Sequence, residues 1–212
     1  MSNEKLAAPE LGVIDVQGMT RQSFMIKGAL AAGTVYGVAT VAPFVSEAIA
    51  QEGGGDVDIL NFALTLEYLE AAFYEMGLKN VKGLDGDAKE LATTLQENEA
   101  EHVQALTEAI KGLGGTPTKA PGVDFADAFS SQKAFLKTAQ TFEDLGVSAY
   151  NGAATQIKSK EVLGSAGAIV QIEARHAAAI RLLRKEMPAP AAFDEALAEQ
   201  AVLDAVKPLI AA

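Results

Sequence analysis

The sequence predicts an all-α protein: a four-helix bundle with one long crossover, a short C-terminal helix behind it and an N-terminal signal segment in front. Three observations carry this reading. Apolar residues recur at helical spacing in four long segments, and no stretch alternates as a strand would. Glycine and proline divide those segments into helix–loop–helix, long link, helix–loop–helix. The first helix pair and the second also repeat one pattern of Glu, Tyr and His.

The 212 residues carry a net charge of −11, which excludes a phosphate-backbone binder and makes a nucleic-acid partner unexpected. An apolar content of 49% is enough for a packed core. The absence of Cys removes disulfides, thiolate metal sites, iron–sulfur clusters and thiol nucleophiles together. Only two His are present, so the place of each is informative.

Residues 1–50 read as an export signal. The stretch 28–45 is apolar and uncharged, Arg21 and Lys27 precede it, and Ala48-Ile49-Ala50 offers a cleavage site before Gln51. Thr20-Arg21-Gln22-Ser23-Phe24-Met25-Ile26-Lys27 resembles a twin-arginine signal, with Gln22 where the second Arg belongs. The expected mature protein is periplasmic or otherwise extracytoplasmic. It would meet a membrane only if this segment were retained as an anchor. Residues 51–55 form a Gly-rich, flexible lead-in.

The bundle is expected over 56–187. Its first helix covers about 56–78, capped by Asp56 or Asp58, with Leu60, Leu64, Glu67, Ala71 and Tyr74 on one face. Asn80, Gly83 and Gly86 mark the loop that follows. The second helix, about 87–113, aligns Leu91, Leu95, Glu99, His102, Leu106 and Ile110 and stops at Gly114-Gly115. The link from Gly114 to about Ala126 contains Pro117 and Pro121. Its roughly 13 residues can reach about 40 Å, enough to cross a bundle and leave the second and third helices parallel. The third helix runs from about Asp127 to Ser159, with a break placed near Ser130, and aligns Leu136, Ala139, Glu143, Val147, Tyr150 and Ala154. The fourth, about Leu163 to Glu186, aligns Ala166, Ile169, Glu173, His176, Ile180 and Leu183 before Pro188 and Pro190. A short helix over about 194–206 lies in the tail, 188–212.

Each core-facing stripe therefore carries a Glu. A buried carboxylate is costly unless it is protonated, paired or bound to metal. Four of them on converging faces are expected to hold protons and titrate above the ordinary Glu range when no metal is present. The spacing sharpens the case. Glu99-Ala100-Glu101-His102 and Glu173-Ala174-Arg175-His176 are both Glu-x-x-His, and residues i and i+3 share a helix face. With 18 Glu in the chain, chance would place Glu three residues before both His about one time in a hundred or less. Glu67 is followed seven residues later by Tyr74, and Glu143 by Tyr150, about two turns on the same face. The chain is thus two copies of one module, and a bundle with a pseudo-twofold axis follows.

The segments ILNFALTLEYLEAAFY and EARHAAA resemble the exported bacterial ferritin-like domain family, which also includes plant desiccation-related proteins. This family lies within the ferritin-like carboxylate proteins that hold two iron or two manganese ions. The resemblance covers about 56–187. It implies that Glu67 and Glu143 are terminal metal ligands, that Glu99 and Glu173 bridge, and that His102 and His176 each serve one metal. Tyr74 and Tyr150 would hydrogen-bond to carboxylates across the site. On their own, these Tyr read equally as core aromatics. Glu70, one turn from Glu67, could turn inward as a seventh ligand, but reads as a solvated helix shoulder. Glu97, Glu101 and Asp144 read as surface.

The mixed O and N ligands suit Fe(II) or Mn(II), and the lack of thiolate disfavours zinc. The expected cofactor is two Fe ions, with two Mn ions as the alternative. The expected chemistry is redox, of ferroxidase or peroxidase type, with O2 or H2O2 as substrate. The alternative is a non-catalytic metal-binding or desiccation-protective bundle. A vestigial site is disfavoured because all six ligands are present. A homo-oligomer is compatible with the sequence, although the Gly-rich lead-in and Pro-rich tail fit a ferritin cage poorly.

Overall fold

The computed structural model describes residues 55–210, so the expected export segment and all but the last residue of the lead-in lie outside the described residues. Four long helices form the body: α1, Asp56–Asn80; α2, Gly86–Gly112; α3, Gln132–Ala154; and α4, Lys160–Leu183. A short α5, Glu199–Val206, follows in the tail. Among the described residues there is no strand, only a single bridge between Val123 and Ile210. No described helix is long and apolar enough to cross a membrane.

Local chemistry sets the helix ends. Asp85, Ser131 and Ser159 each accept a hydrogen bond from the backbone three residues on, capping α2, α3 and α4. The first helix differs from expectation. Its N-cap is Gly55, whose N–H donates to Asp58, while Asp56 turns outward to accept from Lys158 N and Ser159 N, both at 2.8 Å. Asp56 therefore ties the start of α1 to the α3–α4 loop.

Several boundaries move from their expected places; α4 runs from Lys160 to Leu183, three residues earlier at each end than expected. The break near Ser130 is real: Ala126–Phe129 form a 3-10 turn, and α3 proper begins after the Ser131 cap. This turn exists because Phe125 and Phe129 leave the helix line to pack edge-on and tilted against Phe73. The third helix ends at Ala154 rather than Ser159, since Asp56 holds residues 158 and 159 in the loop. The tail helix starts at Glu199 rather than 194. Residues before it run as an extended strap along α3, with Leu197 N donating to Ser148 O at 3.0 Å and Asn151 donating to Glu195 O at 3.3 Å.

The helices pair α1 with α2 and α3 with α4, and the pairs meet through α1 against α3 and α2 against α4. Tyr74 reaches Glu143 and Tyr150 reaches Glu67, so α1 and α3 are antiparallel. Each hairpin reverses direction, which leaves α2 and α3 parallel and makes the link between them a crossover of the bundle. Asn61 secures that link to α1, accepting from Thr118 N at 2.7 Å and donating to Thr116 O.

The core has two apolar clusters. One is aromatic, centred on Phe73 stacked on Phe135 with Phe125, Phe142 and Tyr74 around them. The other is aliphatic, with Leu60, Leu64, Leu106, Ile110, Ile169 and Tyr150. The two Tyr belong one to each cluster, and their hydroxyls face the polar layer between.

The strap closes so tightly on α3 that a Cβ at Gly152 would collide with the backbone carbonyl of Leu197. Gly152→Ala should destabilise the fold by about 1–3 kcal/mol, the range for overpacking, and speed proteolysis between residues 184 and 198. Denaturant unfolding and limited digestion check this. Unchanged values for both would mean that the strap does not bear on α3.

Candidate metal centre

Mid-bundle, the four long helices each turn polar groups inward. Glu67, Glu99, Glu143 and Glu173 are fully buried, and His102 and His176 nearly so. The i and i+3 spacing places His102 beside Glu99 on α2 and His176 beside Glu173 on α4. The structure thus brings together all six residues that the sequence singles out as ligands, along with both Tyr.

The contacts follow the pseudo-twofold axis. His102 Nδ1 lies 3.2 Å from Glu67 Oε2, 3.0 Å from Glu99 Oε2 and 3.0 Å from Glu173 Oε1. His176 Nδ1 lies 3.2 Å from Glu143 Oε2, 3.0 Å from Glu99 Oε1 and 3.8 Å from Glu173 Oε2. Tyr150 donates to Glu67 Oε1 and Tyr74 to Glu143 Oε1. Glu67 and Glu143 therefore each have one oxygen tied by a Tyr from the opposite module, and the other oxygen is directed inward.

Two overlapping groups result: Glu67, Glu99, His102 and Glu173, and Glu99, Glu143, Glu173 and His176. Within each, the candidate ligand atoms all lie within 4.8 Å of one another. Glu99 and Glu173 belong to both. Glu99 Oε1 and both Glu173 oxygens are buried and accept no hydrogen bond; their contacts with the imidazoles lie off the hydrogen-bonding direction. Orphaned oxygens of this kind, on the two carboxylates shared by both groups, fit cations between them.

Without metal, protons and imidazolium groups share the compensation. Burial raises Glu67 to about 8, with Glu173 and Glu99 adding repulsion against the pull of the His102 hydrogen bond. Burial likewise pushes Glu143 well up. Burial opposes charge on both His, but the carboxylates that surround each ring Nδ1 outweigh it by favouring the protonated imidazolium, and push each to about 12. Glu173 departs from the expected upward shift. Burial would raise it too, yet the two imidazolium groups at its oxygens hold it down at about 2. Two protonated His thus stand in for cations, a solution that an account of the carboxylates alone omits.

Two polar residues at the site escape the sequence reading. Glu70 is buried rather than solvated, and burial together with Glu173, Glu143, Glu67 and Glu99 pushes its carboxyl well up. It has room because the matching position of the second module is Gly146, where a Cβ would stand 3.1 Å from Glu70 Oε1. The difference between EYLEAAFY and EDLGVSAY was the available signal. Asn98 places Nδ2 3.0 Å from His176 Nε2. Nothing in the sequence marks it, because its partner lies on another helix. Glu97 and Glu101 are exposed as expected, but Asp144 is half-buried in an ion pair with Arg181.

Two helices that each give a Glu, and two that each give Glu-x-x-His, form the frame of the carboxylate-bridged di-metal bundles. Residues 55–186 match the ferritin-like domain family, and the chain belongs to that family. None of the curated proteins matches the chain.

The metal-free protein should lose stability as pH rises from 5 to 8. Glu67, raised from 4.5 to about 8, contributes stability that is complete below 4.5 and lost as pH rises through 8. Both His, raised from 6.5 to about 12, act in the same direction from 6.5 upward. Glu173 acts oppositely, but only as pH falls from 4.5 toward 2, outside this window. Saturating metal should reverse the slope, since ligation needs deprotonated groups. Thermal unfolding with chelator and with metal checks both signs; chelated protein that gains stability over this range would contradict the assignment.

Proposed function

We propose that the bundle holds two iron or two manganese ions and uses them in redox chemistry with O2 or H2O2, of ferroxidase or peroxidase type. The observation that supports this best is the pair of overlapping Glu/His groups sharing Glu99 and Glu173, of whose oxygens Glu99 Oε1 and both of Glu173 accept no hydrogen bond. Glu67 and His102 would serve one ion, Glu143 and His176 the other, with Glu99 and Glu173 between them. The oxygen and nitrogen donors suit Fe(II) or Mn(II), with iron as the first choice. Two such divalent ions would supply the two electrons that reduce a peroxide bond.

The protein's own residues define the rest. Tyr74 and Tyr150 hold one oxygen of Glu143 and of Glu67, leaving the second oxygen of each for an ion. Apolar packing above and below the layer excludes bulk water and strengthens every charge interaction inside it. The export-like segment before the bundle supports an envelope location.

Anaerobic loading of the full chain with Fe(II), and separately with Mn(II), should give two ions per chain. His102→Ala or His176→Ala should lower this toward one. Mixing the loaded protein with O2 and with H2O2 should then show rapid oxidation by one of them. Bound metal that neither oxidant oxidises would leave a metal-holding bundle without turnover. No bound metal would refute the di-metal reading.

A further inference from the structure

Two identical modules would make two equal metal positions, and the structure departs from that equality twice. The pseudo-twofold exchanges α1 with α3 and α2 with α4. It relates Glu67 to Glu143, Tyr74 to Tyr150, Glu99 to Glu173 and His102 to His176. In the same register, Asn98 corresponds to Ile172 and Glu70 to Gly146.

The first departure lies behind the imidazoles. Both His direct Nδ1 into the carboxylate layer, so a ring bound there carries its proton on Nε2. The Asn98 amide lies 3.0 Å from His176 Nε2, and a half-turn of that amide presents Oδ1 to the Nε2–H. Such a partner fixes the tautomer and the ring orientation and makes the inner nitrogen a better donor. Ile172, at the matching position, has no polar atom to offer His102. Among the described residues no side chain hydrogen-bonds His102 Nε2, and the His102 side chain is the more exposed of the two, 11% against 5%.

The second departure lies between α1 and α3. Glu70 occupies the room that a side chain at Gly146 would need. A Cβ there would meet Glu70 Oε1 at 3.1 Å and Glu173 Oε2 at 3.7 Å. Glu173 Oε2 is the oxygen paired with His176, whereas Oε1 is paired with His102. A fifth carboxylate therefore stands toward the His176 side, with no counterpart from the second module.

We propose that the two metal positions are unequal, and that the one built on Glu143 and His176 fills first because Asn98 holds its imidazole and Glu70 adds a carboxylate on that side. This rests on the di-metal reading above. Asn98 is then a positioning residue, acting through His176. Stepwise filling would give an exported chain one firmly held ion and one exchangeable ion.

The test is anaerobic titration of the metal-free full chain with Co(II), followed by its visible absorption. Two resolved steps are expected. His176→Ala should remove the tighter step, and His102→Ala should spare it. Asn98→Ala should weaken the first step about 10–100-fold, the usual effect of losing a partner behind a ligating His, and leave the second in place. Asn98→Asp, which can accept from the same N–H, should restore it. Glu70→Leu should weaken the first step more than the second. Ile172→Asn places an amide behind His102 and should tighten the second step; this arm holds even if Asn98→Ala folds poorly. Equal steps in the wild type, equal weakening of both by Asn98→Ala, or loss of the tight step in His102→Ala would overturn the proposal. Wild-type protein that binds no Co(II) would instead overturn the di-metal reading on which it rests.

Discussion

Five carboxylates lie in the middle of an apolar bundle, and the fold must offset their mutual repulsion. Glu67, Glu70, Glu99, Glu143 and Glu173 are all at or below 2% exposure. Water cannot screen them there, and the nearest cations of the protein are the imidazolium forms of His102 and His176. The rest of the site answers to this constraint. Two Tyr hydroxyls tie down one oxygen each of Glu143 and Glu67, two His reach into the carboxylate layer, and some of the acids hold protons. One oxygen of Glu99 and both of Glu173 remain without hydrogen bonds. An arrangement so short of positive charge is suited to receiving it.

The same constraint explains why the scaffold is so regular. Carboxylates from four helices can converge only if the helices keep their faces in register over two turns above and below the layer. The crossover makes this geometry available, because parallel α2 and α3 allow α1 to oppose α3 and α2 to oppose α4. The aromatic cluster around Phe73 and the aliphatic cluster around Leu64 then clamp the layer from its two sides. Asp56 and the tail strap secure the C-terminal part of α3 and the loop after it, in the helix whose Glu143 and Tyr150 serve opposite halves of the site.

Duplication gives the site its economy, and departures from duplication give it character. A strict repeat would make the halves interchangeable. Glu70 opposite Gly146, and Asn98 opposite Ile172, are places where one module has a polar group and the other has none. Both lie beside the shared carboxylates, where a single added group alters the field felt by an ion.

Much of this was legible in the sequence. Helical spacing placed the four helices within a few residues, because amphipathic stripes and Gly or Ser boundaries are local signals. Four of the six inward Glu and His were legible because they pair at i and i+3 and the chain has no other His, and Glu67 and Glu143 because each precedes a Tyr by seven residues. The break near Ser130 was legible, but the 3-10 form it takes, the tail strap and the end of α3 were not, since each depends on a partner far along the chain: Phe125 on Phe73, Leu197 on Ser148, Asp56 on Ser159. The partners of His176 and Glu70 were hidden for the same reason. Glu70 looks like a solvated shoulder until Gly146 is brought against it, and Asn98 is an ordinary helical Asn until α4 places His176 within reach. Sequence by itself determined the six Glu and His that repeat between the modules and enter the core, though not Glu70. Tertiary structure alone decided how that charge is shared, because burial, proton affinity and hydrogen-bond partnership belong to neighbours in space.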